Sequence, residues 1–264
     1  MRDGLEQAPN LAVFCDFENV ALGSREANYG EFDMSLVLER LLDKGQIIVK
    51  KAYSDWERFR DARRPLHETN FELIEIPHVS YSGKNSADIR MVVDALDLCF
   101  TKPHLQIFVL ITGDSDFSPL VAKLRENNKK VIGLGVKSST SRLLLESCDE
   151  FIYYDDLVRA KRRRAPKPTT KAAGDDDGRR EKAVQIVMDT VDALLRDRDP
   201  PLFGSLVKQT LKRKRPNFSE SYHGYRNFSD LLEEVQRRGL LELEEDPRSG
   251  GYLVVGLGPS GAES

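Results

Sequence analysis

Short apolar runs alternate with amphipathic stretches along the first 158 residues of the chain. The runs are rich in Val, Ile and Phe, which predicts strands, and the amphipathic stretches have the spacing of helices. This alternation is typical of a parallel sheet covered by helices on both faces, so we expect an α/β fold. The predicted strands are residues 11–15, 47–53, 72–76, 106–112, 131–136 and 151–154. The predicted helices are residues 33–43, 56–67, 86–100, 117–128 and 139–147.

The last part of the chain has a different pattern. Apolar residues recur at helical spacing in three successive stretches, at residues 181–196, 203–211 and 228–240. Two short apolar runs, at residues 241–243 and 252–255, then flank a turn and predict a hairpin. Three helices closed by a hairpin are the pattern of a small winged helix-turn-helix domain, for which we take residues 181–257.

Charge is unevenly distributed between these two parts. The 264 residues contain 40 Lys and Arg against 43 Asp and Glu, a net charge of −3. Residues 159–180 alone hold nine basic and three acidic side chains, with Pro, Ala and Thr and no apolar periodicity. That composition predicts a basic, disordered linker between a first domain, residues 10–158, and the winged domain.

Composition also excludes several classes of protein. The longest aliphatic or aromatic run, residues 107–111, is far shorter than a membrane span. Residues 1–6 are acidic and lack the apolar core of a signal peptide. Three widely spaced cysteines, Cys15, Cys99 and Cys148, fit neither a disulfide framework nor a zinc site. We therefore expect a cytoplasmic protein with no membrane partner.

Acidic residues follow two of the predicted strands. Asp16 comes directly after the strand at 11–15, and Asp114 and Asp116 follow the strand at 106–112. Because ligands bind beyond the carboxyl ends of the strands in an open α/β sheet, these side chains are expected to meet at one edge. Asp88, at the start of the helix at 86–100, can point to the same edge. An Asp after a strand is also a common helix cap, which is the alternative for each residue taken singly.

Carboxylates brought together repel one another unless a cation neutralises them. Mg²⁺ prefers oxygen ligands and is usually held by a few carboxylates together with water and phosphate. Such a metal can support in-line attack on a phosphodiester. We therefore predict a metal site at Asp16, Asp88, Asp114 and Asp116, with Asn19 orienting a ligand or water and Ser115 and Thr112 bonding to neighbouring carboxylates.

Other polar residues are candidates for phosphate contact. Lys84 and Arg90 flank Asp88, and Ser138 and Ser139 open a predicted helix whose N–H groups could bind a phosphate. Simple helix capping is the alternative for the two serines. The densest basic clusters, at 161–167 and 212–215, would supply the phosphate contacts that an acidic first domain lacks, unless they are ordinary solvated surface.

Several of these segments together resemble the NYN family of PIN-like nuclease domains, and its bacterial LabA-like branch in particular. They are DFEN at 16–19, Lys84 with Asp88, and TGDSDF at 112–117. The resemblance covers roughly residues 10–157. It implies a Mg²⁺- or Mn²⁺-dependent ribonuclease fold in which Asp16, Asp88, Asp114 and Asp116 match the metal-binding acids and Asn19 matches the asparagine after the first strand.

The tail resembles an OST-HTH, or LOTUS, domain. The similar segments are FGSLV at 203–207, PNF at 216–218, GY at 224–225, FSDLL at 228–232 and GL at 239–240. Such domains are implicated in RNA binding and in docking of partner proteins. The resemblance therefore implies RNA, or a protein partner on the tail, as what this chain binds.

Two other functions stay open from the sequence. A HAD-type phosphatase also has an Asp after its first strand, but it requires a second Asp where this chain has Glu18. A non-catalytic RNA-binding regulator would keep the fold without turnover. The sequence also leaves open a homo-oligomer.

Overall fold

The computed structural model describes residues 8–76, 86–164, 175–247 and 250–261. The chain divides into two compact units, Met1–Ala165 and Pro166–Ser264. The first unit contains β1 (Asn10–Asp16), α1 (Phe17–Glu26), α2 (Met34–Lys44), β2 (Gln46–Ser54), α3 (Arg60–Glu68), β3 (Glu72–Glu75), α4 (Ser86–Thr101), β4 (Leu105–Ile111), α5 (Ser118–Glu126), β5 (Lys130–Gly135), α6 (Arg142–Ser147), β6 (Glu150–Tyr153) and α7 (Tyr154–Arg164).

The six strands of the first unit form one sheet in the order β3-β2-β1-β4-β5-β6, and every neighbouring pair is parallel. The predicted α/β fold with a parallel sheet is thereby confirmed. The chain builds the sheet in one direction from β1 to β3 and in the other from β4 to β6. This reversal between β1 and β4 leaves a crevice at their carboxyl ends, which is where ligands bind in such sheets.

Helices cover both faces of this sheet, as expected from the apolar strands. On one face, α1, α2, α3 and α7 pack against inward side chains of the strands, among them Val13 and Val109. On the other face, α4, α5 and α6 pack against Phe14 and Phe108. Successive residues of β1 and β4 point to opposite faces and both sets are fully buried, which explains their continuous apolar sequence.

Helix α1 is absent from the helices predicted by periodicity. Its buried positions include Gly23 and Ser24, which are small or polar and hide the apolar stripe. A Cβ at Gly23 would lie 2.4 Å from Oγ of Ser139, so a larger residue here would push the Ser139 side chain away. The close approach brings the segment after β5 against α1, next to the crevice.

Two other predicted helices begin later than expected. Helix α3 starts at Arg60 because the Asp55 carboxylate accepts hydrogen bonds from the N–H groups of Glu57 and Arg58, closing a turn. Helix α6 starts at Arg142, since Lys137–Ser139 forms a separate 3₁₀ turn.

The predicted linker is wrong at both ends. Helix α7 continues to Arg164, and the next helix, α8, begins at Asp175, so residues 159–164 and 175–180 are helical. Lys161 in α7 forms an ion pair with Asp33 at 2.8 Å, which ties this helix to the first unit. Residues 165–174 lie outside the described part of the chain.

The second unit has its own hydrophobic core, formed by three helices and a small antiparallel sheet. The sheet has the order β7-β9-β8, and β8 and β9 form the predicted hairpin. Strand β7 was not predicted, because a strand of two residues has no periodicity to detect. The elements are α8 (Asp175–Leu195), β7 (Leu202–Phe203), α9 (Gly204–Lys214), α10 (Phe228–Arg237), β8 (Leu241–Glu245) and β9 (Tyr252–Leu257).

Within the described ranges, none of the helices combines the length and the apolar character that crossing a bilayer requires.

Candidate functional site

Asp16 lies at the centre of the crevice between β1 and β4. It is the last residue of β1 and caps α1, with its carboxylate accepting from the N–H of Asn19 at 3.3 Å. The hydroxyl of Thr112, at the end of β4, donates to the other carboxylate oxygen at 3.2 Å. Only 9% of Asp16 is exposed. The carboxylate is therefore fixed in orientation by contacts from both central strands.

Burial raises the pKa of Asp16 from 3.8 to about 7. The negative charges of Asp88 and Asp114 raise the pKa further, while the hydrogen bonds from Asn19 and Thr112 lower it. The electrostatic environment thus disfavours the ionised carboxylate, and a nearby cation would reverse that preference.

The segment after β4 carries the next two acids. The N–H of Asp114 donates to the hydroxyl of Thr112 at 3.2 Å, so that hydroxyl links Asp16 to this segment. The Asp114 carboxylate in turn accepts from the N–H of Asp116 at 2.9 Å and caps the 3₁₀ turn Ser115–Phe117. The Asp114 carboxylate therefore does cap a helical turn, which is the alternative to a metal-binding role. It uses one of its two oxygens, Oδ1, for this cap.

Asn19 and Gly113 hold this segment against α1. The side-chain oxygen of Asn19 accepts from the N–H of Gly113 at 2.8 Å. A Cβ on Gly113 would lie 2.2 Å from the carbonyl oxygen of Ser139, so the residue must be glycine. The carbonyl of Gly113 also accepts from the N–H of Ser141 at 2.8 Å. Asn19 thus joins α1 to the segment after β4, and Gly113 joins that segment to the one after β5; the predicted role of Asn19 in orienting a ligand stays a prediction.

Asp88 completes the acidic group from the opposite side of the crevice, in the first turn of α4. Burial raises its pKa from 3.8 to about 6, and the charges of Asp114 and Asp116 contribute in the same direction. The charges of Asp88 and Asp114 also raise the pKa of Asp16, so the four carboxylates form one group whose charges interact. We call these four residues the acidic cluster.

The chemistry of the acidic cluster fits a hard divalent cation. Its donors are carboxylate oxygens, and burial, followed by their mutual repulsion, raises the pKa values of Asp16 and Asp88. Among the described residues, no group of three His, Cys, Asp or Glu side chains is already arranged around a common point for a metal. The fit is therefore to an ion such as Mg²⁺, which takes one or two carboxylates and completes its shell with water and phosphate oxygens.

The other residues predicted to contact the substrate lie outside the acidic cluster. Arg90 donates to Asp94 at 3.2 Å, one turn along α4, and is thereby held on the helix surface. Ser115 lies in the 3₁₀ turn between Asp114 and Asp116, partly exposed. Ser138 is exposed, and Ser139 packs towards α1 as described. Lys84 lies outside the described residues.

One ion pair beside the acidic cluster was not predicted from the sequence. Arg58, in the turn before α3, pairs with Glu18 in the first turn of α1, two residues after Asp16. The two residues are far apart in the chain, and nothing in their local sequence signals the contact. The pair places a half-exposed guanidinium near the crevice.

Basic residues predicted to bind RNA make contacts within their own units. Lys161 pairs with Asp33, as noted above. In the second unit, Lys212 donates to the carbonyl of Phe218 at 2.6 Å and lies 3.7 Å from Glu220. Arg213 donates to the hydroxyl of Thr210 at 2.9 Å. Part of each basic cluster is therefore already occupied by structural contacts.

Comparison with known proteins agrees with this architecture. A protein of unknown function from Vibrio parahaemolyticus has a crystal structure similar to this chain, with a TM-score of 0.52 and 28% identity, over 58% of this chain and 98% of that one. An uncharacterised protein of Methanocaldococcus jannaschii is 27% identical over 135 residues. That match covers 51% of this chain and 53% of the relative, so the chain spans about half the relative's length.

The family model of the NYN domain matches residues 10–155. This range is more than half of the chain, and it contains all six strands of the parallel sheet and the whole acidic cluster. The chain therefore belongs to the NYN domain family.

Proposed function

We propose that this protein is a Mg²⁺- or Mn²⁺-dependent ribonuclease that hydrolyses RNA phosphodiesters at the acidic cluster. The observation that carries the proposal is that four carboxylates from three separate segments lie close enough for their charges to interact, at the point where the strand order reverses. The NYN family is generally nuclease-like, and this membership favours phosphodiester hydrolysis as the reaction at the acidic crevice.

In this proposal Asp16, Asp88, Asp114 and Asp116 hold the cation jointly with phosphate oxygens and water. When bound, the cation neutralises the cluster and stabilises the charge that develops on the phosphate. Thr112 and Asn19 act in this proposal as positioning residues. They fix Asp16 and the segment of Asp114 in place before substrate arrives, so little reorganisation is needed.

The direct test is incubation of the full-length protein with RNA and DNA oligonucleotides of the same sequence, in Mn²⁺, Mg²⁺ or EDTA. We expect cleavage of RNA in either metal and none in EDTA, because the acidic cluster repels phosphate when no cation is bound. Cleavage that survives EDTA, or that is confined to DNA, would contradict the proposal.

A non-catalytic RNA-binding regulator is the second candidate. It is favoured by one observation, that no three metal-ligating side chains of the described residues are preassembled. The same incubation separates the two functions, since a regulator would shift RNA in a gel in every condition and leave it intact.

We propose that the second unit is an OST-HTH-like winged domain that increases affinity for RNA. The support is its own core, its three helices and the hairpin β8–β9. The first unit, residues 1–165, has 24 basic and 26 acidic side chains and so no net positive charge to attract RNA, and the second unit adds the basic cluster at residues 212–215. The alternative role of this unit is to dock a protein partner.

Removal of residues 166–264 tests this role. The remaining fragment has a complete core of its own, so it should fold and still cleave short RNA. Its affinity for long RNA should fall by at least about tenfold, and its binding should depend less steeply on salt, because fewer counterions are released. Fluorescence anisotropy across a salt series measures both quantities. Equal affinities and equal slopes would assign the second unit to protein docking.

A further inference from the structure

One side of α4 presents an apolar stripe to solvent. Ile89, Val93 and Phe100 are 61%, 55% and 64% exposed. Their spacing of four and seven residues places them on the same side of the helix. The opposite side of α4, with Met91 and Ala95, is buried against the sheet. The stripe is therefore not part of the core of the first unit.

The stripe continues onto α6. Leu143 is 58% exposed, and together with Ile89, Val93 and Pro119 it lines a shallow groove of about 560 Å³. Asp88 and Asp116 of the acidic cluster form one end of this groove. A contiguous exposed apolar patch of this kind marks an interaction surface more often than it marks ordinary protein surface.

Charges beside the stripe indicate its partner. Arg90 and Asp97 are both exposed on this side of α4, at equal distances from a point midway between residues 93 and 94. If a second α4 packs antiparallel about a two-fold axis at that point, Arg90 of each copy faces Asp97 of the other. Arg90 uses one N–H for Asp94, and its guanidinium has further donors for this contact.

We infer that the exposed face of α4 is a homodimer interface, formed by Ile89, Val93 and Phe100 with Leu143 beside them. A second copy of the chain fits better than a nucleic acid, because the stripe itself is apolar and Asp97 beside it would repel phosphates. The helix has 16 residues, about 24 Å in length, which is sufficient for a helix–helix contact. The antiparallel arrangement places the two acidic clusters at opposite ends of the helix pair.

Sedimentation velocity of the full chain over a wide concentration range tests this inference. The wild type should form dimers that dissociate on dilution. Val93→Glu should weaken dimerisation by at least about tenfold, since it places two like charges at the two-fold axis. Ile48→Glu is the matched control, because Ile48 is an exposed apolar residue of β2, 44% exposed, and should leave the dimer intact.

Charge reversal tests the pairing itself. Arg90→Glu and Asp97→Lys should each weaken the dimer, while the double variant should restore it, because both contacts become attractive again. An equimolar mixture of the two single variants should form a heterodimer for the same reason. A wild type that stays monomeric at every concentration would overturn the inference, as would a dimer unaffected by Val93→Glu. Weakened RNA binding by Val93→Glu, when the wild type is itself monomeric, would instead assign the face to substrate.

Discussion

Replacement of Asp114 by Asn should reduce metal-dependent RNA cleavage by at least about 100-fold. Loss of a residue that merely orients a metal ligand typically costs 10–100-fold in affinity or activity, and loss of a proposed ligand should cost at least as much. The fold should survive, because the Asn side-chain oxygen can still accept the hydrogen bond from the N–H of Asp116. The measurements are single-turnover cleavage in Mn²⁺ and a thermal melt, in which we expect a change of a few degrees at most.

Asp61→Asn is the matched control for this prediction. Asp61 is exposed in the first turn of α3 and belongs neither to the acidic cluster nor to the exposed face of α4. Its replacement removes one negative charge from the same unit and should leave single-turnover cleavage close to that of the wild type. If Asp114→Asn, Asp16→Asn and Asp88→Asn all cleave RNA like the wild type, the activity does not reside at the acidic cluster.

The sheet and its acidic edge were predictable because they depend on local patterns. Each buried strand is a run of apolar residues, and the acids follow β1 and β4 directly. The carboxyl ends of parallel strands lie at the same edge of a sheet. Asp16 and Asp114 must therefore lie near each other when β1 and β4 are neighbours. Asp88 required only that α4 begin at the same edge.

The contacts that fix the site were not predictable, because they join distant segments. The bond from Gly113 to Asn19 spans 94 residues, and that from Thr112 to Asp16 spans 96. A sequence pattern gives the type of each residue but not which backbone group its side chain will meet. Asn19 was accordingly assigned to a ligand, although in the structure it holds the backbone of Gly113.

Helix α1 was missed for a related reason. Close packing against Ser139 and the segment after β5 requires a small residue at Gly23, and small residues carry little hydrophobic signal. The ends of the predicted linker were misassigned because charged helices such as α7 have too few apolar residues to show periodicity beyond Val158.

Wild-type stability in the absence of metal should fall as the pH rises from 4 to 8. The pKa of Asp16 is raised from 3.8 to about 7 on folding, so over this interval the native state binds a proton that the unfolded state has released. The associated stabilisation is complete below the unfolded pKa and is lost as the pH passes the folded pKa. The expected loss from Asp16 alone is on the order of 4 kcal/mol, at 1.36 kcal/mol per unit.

Asp16→Asn should show a much smaller fall over the same pH interval, because the residue no longer titrates. Asn is as good a helix cap as Asp, so the variant should keep α1 and become more stable than the wild type at pH 8. Chemical denaturation at a series of pH values measures this difference, with Asp61→Asn expected to follow the wild type. Mn²⁺ should raise the stability of the wild type at pH 8, since it binds the folded state, and should raise that of Asp16→Asn much less. If the wild type and Asp16→Asn have parallel pH profiles, burial does not raise the pKa of Asp16. If they also respond equally to Mn²⁺, Asp16 is not part of a cation site.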